Sequence, residues 1–78
     1  MKPTIGRIVL FTLPETWGIV NGAKTFPAII TAVHSPTLVN LRAFLDADGT
    51  IFNEWFTSVP LSDRPAEPMT WIWPPRDV

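Results

Sequence analysis

With 78 residues the chain holds one small domain, and a domain of that size leaves much of its surface in water even when folded. It has no cysteine, so neither a disulfide framework nor a thiolate zinc site can stand in for a larger core. Six Lys and Arg against seven Asp and Glu give a formal net charge of −1 with no basic block, which argues against sequence-independent binding to long nucleic acid.

The chain is 46% hydrophobic with four Trp and five Phe, while charged residues make up only 17%, against roughly 25% in soluble domains. That is more apolar surface than so short a chain buries alone, and it predicts assembly with copies of itself. The longest apolar run, Ile8 to Phe11, is too short to cross a bilayer. No signal-peptide hydrophobic region follows Lys2, so no membrane partner and a cytoplasmic location are expected.

Nine prolines between Pro3 and Pro75 interrupt every long helical window, and the runs between them are rich in Ile, Val, Thr, Phe and Trp. The first expected strand is Ile5 to Leu13, with Ile8 and Leu10 on one face and Val9, Phe11 and Leu13 on the other. Both faces are apolar, which predicts burial on two sides. Pro14 closes it, and Glu15 to Thr25, with Gly18 and Asn21-Gly22, reads as a long loop or a short irregular hairpin. A second strand runs from Ala28 to His34, with Ile29 and Val33 on one face and Ala28, Ile30 and Ala32 on the other; Ser35-Pro36 then turns the chain. The third, Leu38 to Leu45, alternates most clearly, with Val39, Leu41, Ala43 and Leu45 inward and Asn40 and Arg42 outward. Asp48-Gly49 supplies a tight turn into a fourth strand, Ile51 to Val59, carrying Phe52, Trp55 and Phe56. After a polar loop from Pro60 to Pro68, a fifth strand runs from Met69 to Trp73. Five short antiparallel strands with no room for an intervening helix predict an all-β fold, a small five-stranded antiparallel SH3-like barrel, as a single domain over residues 1–78.

The inventory of reactive groups argues against an enzyme. His34 is the single histidine, and the sequence contains no nucleophile elbow, phosphate-cradling glycine loop or His-Glu-x-x-His pattern. His34 beside Ser35-Pro36 reads as an edge or turn residue, and one histidine makes no zinc site without converging carboxylates. Asp46-Ala47-Asp48-Gly49 resembles the opening of a calcium loop. The spacing fails, because Gly49 is fourth rather than sixth from Asp46 and Thr57, not Glu, stands twelfth. Asp63, Glu67 and Asp77 read as solvated loop charges. No catalytic residue, metal ligand or cofactor is therefore expected.

The tryptophans and arginines carry what functional signal there is. Trp71 and Trp73, two apart on a strand, point to one face and stand side by side, and Trp17 sits in the long loop. These rings fill the core, meet a second subunit or stack on a planar ligand. Arg7, Arg42 and Arg76 complete a possible recognition set, since a guanidinium beside an indole grips phosphate while the ring stacks on a base.

The blocks Gly6-Arg7-Ile8-Val9, Pro27-Ala28-Ile29-Ile30, Val39-Asn40-Leu41 and Thr70-Trp71-Ile72-Trp73-Pro74 resemble, in the same order, a family of short, mostly uncharacterised bacteriophage proteins. That family often has His between the two tryptophans, where this chain has Ile72. The resemblance implies a phage origin and the cytoplasm of an infected bacterium. Together with the aromatic excess it leads to the expectation of a non-catalytic homo-oligomeric accessory protein. Its ligand-binding residues would be Trp17, Trp71, Trp73, Arg7, Arg42 and Arg76, sequestering a small nucleotide-derived immune signal. The alternative expectation is a structural or protein-interaction module docking a host or virion protein through exposed tryptophan.

Overall fold

A computed structural model describes residues 2–17, 20, 22–46 and 53–75. Strands β1 (Ile8–Thr12), β2 (Thr25–Ser35), β3 (Leu38–Phe44), β4 (Asn53–Pro60) and β5 (Thr70–Ile72) form one antiparallel sheet in the order β4-β3-β2-β1-β5. The expected all-β fold of five antiparallel strands is observed, and the sheet curls strongly into a half-barrel consistent with a small barrel. Its two ends meet where Leu61, just past β4, bridges to Trp71 of β5 in parallel register. The Ser62 amide donates to the Trp71 carbonyl at 2.9 Å, which locks that closure.

Alternation decides which side chains enter the barrel. Val9, Phe11 and Leu13 from the β1 segment meet Phe26, Ala28 and Ile30 from β2 and Val39, Leu41, Ala43 and Leu45 from the β3 segment, all buried. Val59 and Trp71 complete the core. The inward and outward sets expected for the third strand are those observed.

Several boundaries differ from expectation. β1 begins at Ile8 rather than Ile5, because Gly6 turns the chain with φ 92°; its amide still donates to the Ile30 carbonyl at 2.8 Å. The expected two-sided burial of β1 is not found: Val9 and Phe11 are buried, whereas Ile8 on the other face is 49% exposed. The described residues form one sheet layer, and on that outer face Ile8 is exposed and Leu10 half-buried, while Thr12 is covered. β2 starts three residues before Ala28 and runs through Pro27, which is paired to Leu10 of β1. Proline is tolerated there because the ladder to β3 begins only at Ala28, so no amide is needed on that side. β5 is trimmed to Thr70–Ile72, since Met69 has φ 59° and lies outside the extended region.

The segment between β1 and β2 is a short irregular hairpin. A 3₁₀ turn spans Glu15–Trp17, and Val20 and Ala23 exchange backbone hydrogen bonds of 2.8 and 3.0 Å around Gly22, whose φ is 84°. Gly18, Asn21, the Asp48-Gly49 turn and the Ile51-Phe52 start of the expected fourth strand lie outside the described residues.

β4 carries a bulge opposite β3. Leu41 pairs with Phe56 and Val39 with Val59, so Thr57 and Ser58 together oppose Asn40. Ser58 takes a left-handed φ of 55° to make room. The Asn40 Oδ1 collects the groups the bulge leaves over: it accepts from the Ser58 amide at 2.9 Å and from the Thr57 hydroxyl at 3.0 Å. His34, exposed at the end of β2 as an edge residue, donates from Nε2 to the same oxygen at 2.9 Å. Because a backbone amide can only donate, it fixes which end of the Asn40 amide is oxygen, and that in turn fixes the His34 tautomer.

Candidate functional site

The six residues expected to bind ligand do not form one site. Trp71 and Trp73 do stand side by side, edge to face with ring centroids 5.1 Å apart. Trp71, however, is 0% exposed, wedged in the barrel, and offers no ring face to a ligand. Its indole N–H is buried without a protein acceptor. Trp73, half-buried, packs on the core from outside, and the Arg7 guanidinium lies 5.6 Å from its ring centroid. Arg7 arrives there because Gly6 swings the chain across β2 immediately before β1. Trp17 is elsewhere: the 3₁₀ turn lays it against Phe56, centroids 5.6 Å apart, and Phe56 in turn contacts Phe11 at 4.6 Å. It closes one end of the barrel. Arg42 is on the outer face of β3, away from this cluster, and Arg76 lies outside the described residues.

That outer face is the most unusual surface of the molecule. The register places Ile8 of β1, Ile29 of β2, Arg42 of β3 and Trp55 of β4 in one row across the sheet. The next row runs from Ile72 of β5 through Leu10 of β1 to Pro27 of β2, and continuing the β2–β3 register brings in Phe44 of β3. Neighbours across a row stand about 4.5–5.5 Å apart at Cβ, so the two rows set mostly apolar side chains next to one another, interrupted at Arg42 and at Asn53, which pairs with Phe44. Trp55 is 51% and Phe44 41% exposed. An exposed tryptophan and phenylalanine around a central arginine are the residue types that dominate binding energy at protein interfaces, where they fill pockets and stack.

Trp55 was not among the expected site residues. Its signal in the sequence is its placement beside Phe56: adjacent residues of a strand face opposite ways, so if Phe56 enters the core Trp55 must leave it.

Several polar groups are tied into local structure. In the loop after β4, Ser62 accepts from the Arg64 amide at 3.0 Å and its hydroxyl bonds the Glu67 carboxylate, while Thr70 donates to the Glu67 carbonyl at 2.7 Å. These bonds give Glu67 a structural job in the turn; Asp63 is exposed and Asp77 lies outside the described residues. Among the described residues no three His, Asp or Glu side chains converge as a metal site, and no helix is long and apolar enough to cross a membrane. No family model matches the chain, and comparison with curated proteins and with solved structures likewise finds no match.

Proposed function

We propose that the protein is a non-catalytic interaction module that docks the outer face of its sheet, centred on Trp55, Phe44 and Arg42, onto an apolar protein surface offering a carboxylate to Arg42. The observation that carries this reading is the half-exposed Trp55 standing beside Arg42 in a stripe that crosses every strand. Burying the exposed part of such a stripe yields about 25 cal/mol per Å² of apolar area. In the phage setting that the sequence resemblance implies, the surface belongs to a host protein, a virion protein or another copy of the chain.

Dye binding tests the reading directly. At protein concentrations low enough to leave the face uncovered, a polarity-sensitive naphthalene dye should bind the wild type, and Trp55→Ser with Phe44→Ser should lower that signal severalfold. Because both side chains project outward, the double variant should keep stability to within roughly 0.5 kcal/mol per site. An unchanged dye signal in a folded double variant refutes the docking face.

Nucleotide sequestration keeps one supporting observation, the Arg7 guanidinium over Trp73 at the surface. A sequestered ligand present at about one hundred times its dissociation constant would stabilise the wild type by about 2.7 kcal/mol. Trp73→Ala would lose that gain. A flat thermal-shift response to cyclic dinucleotides and ADP-ribose derivatives removes this second reading.

A further inference from the structure

We infer that the occupant of the outer face is a second copy of this chain, packed sheet against sheet about a two-fold axis that passes Phe44. This rests on the docking reading above and names its partner.

The argument starts from the outward residues of β3 and its continuation. Arg42, Phe44 and Asp46 follow one another at two-residue spacing, alternate with the buried Ala43 and Leu45, and are all exposed. The order is cation, ring, anion. A two-fold interface brings a patch against itself, so residue i meets j and j meets i. When β3 of one copy lies antiparallel across β3 of the other with Phe44 at the axis, Phe44 meets Phe44 and each Arg42 meets the partner's Asp46. Arg42 lies two strand residues, about 6.6 Å, to one side of Phe44, and Asp46 follows the end of β3 on the other side, so the charged pairs flank the rings. Packed sheets stand about 10 Å apart, a gap that two opposed phenyl groups fill and that the long Arg42 side chain reaches across.

The rest of the face agrees with that axis. The cross-strand neighbours of Phe44 are Asn53 of β4 and, continuing the register, Pro27 of β2, so no charge stands beside the ring at the axis. A net charge of −1 per chain adds little repulsion between copies. A stable interface needs roughly 800 Å² from each partner, which is about one sixth of the 4990 Å² surface of this chain.

The test reads mass by sedimentation velocity across a wide range of protein concentration. The wild type should run at twice 8.7 kDa. Arg42→Asp and Asp46→Arg, each alone, place like charges at both symmetry-related contacts and should weaken the dimer at least about tenfold. An equimolar mixture of the two variants should recover a dimer, because every contact between unlike chains is again of opposite sign; a mere folding defect would not be rescued by mixing. A wild type that stays monomeric at all concentrations overturns the inference. So does a dimer that the charge variants leave intact, since it must use another surface. Failure of the inference is separable from failure of the docking reading: a monomer that still binds dye in a Trp55-dependent way keeps the docking face and points to a different protein partner. A monomer that binds no dye overturns both.

Discussion

Replacing Asn40 with alanine removes the acceptor that holds the β4 bulge. Three donors converge on its Oδ1: the Ser58 amide, the Thr57 hydroxyl and His34 Nε2. The Ser58 amide is fixed by the backbone and is worth about 1 kcal/mol net, whereas the exposed hydroxyl and imidazole turn to water and lose less. The left-handed Ser58, at φ 55°, then keeps its strain without its compensating bond. The expected cost of Asn40→Ala is therefore about 1–2 kcal/mol, which in a domain of this size lowers the melting temperature by roughly 5–15 °C. Asn40→Asp retains an oxygen acceptor and should lose less. Urea unfolding followed by tryptophan fluorescence measures both, and amide exchange at Ser58 should quicken in the alanine variant alone. A loss below about 0.3 kcal/mol for Asn40→Ala would refute the view that this side chain sets the bulge.

Ala66 adopts φ 60° in the loop after β4, where the Cβ is penalised; Ala66→Gly should raise stability by about 1 kcal/mol, and a loss on urea unfolding would show that the turn is not strained. Trp71→Phe gives up packing but also removes a buried N–H that has no protein acceptor, a group whose burial costs about 1–3 kcal/mol. The net change should therefore stay well below the 3–5 kcal/mol of a large-to-alanine substitution in the core, and a loss of that full size would mean the N–H is satisfied after all.

The fold was legible where burial follows a strict period of two. Leu38 to Leu45 is the clearest case, because each inward position is apolar and Arg42 marks the outside. β1 was harder. Val9 and Phe11 on one side and Ile8 and Leu10 on the other are equally apolar, and pattern alone cannot say which side has a second layer to cover it. The described residues supply one sheet layer, which leaves Ile8 exposed and Leu10 half-buried on the outer side of β1. Local pattern starts β2 three residues late, because Pro27 normally ends a strand; it does not here because the β3 ladder begins only at Ala28, a long-range fact absent from any local window.

The site was misplaced for a related reason, which shows most plainly on β4. Phe56 and Val59 both belong to the barrel side although they are three apart, a spacing that simple alternation forbids. The bulge at Thr57-Ser58 absorbs the extra residue, and Asn40, seventeen positions upstream of Thr57, stabilises it. With that phase break unseen, Trp55 looks like one more core ring and the pair Trp71 and Trp73 looks like the free one. In the folded chain the assignment is reversed: Trp71 fills the barrel because β5 is the strand the closure draws inward, and Trp55 is turned out beside Arg42. Deleting Ser58 tests this reasoning at its source. Without the bulge residue Phe56 and Val59 fall two apart, so ordinary alternation keeps both on the barrel side, with Thr57 alone opposite Asn40 and Trp55 still outward; the deletion should therefore stay folded and keep Trp55-dependent dye binding, and a variant that unfolds or loses that binding would show that the bulge does more than absorb one residue.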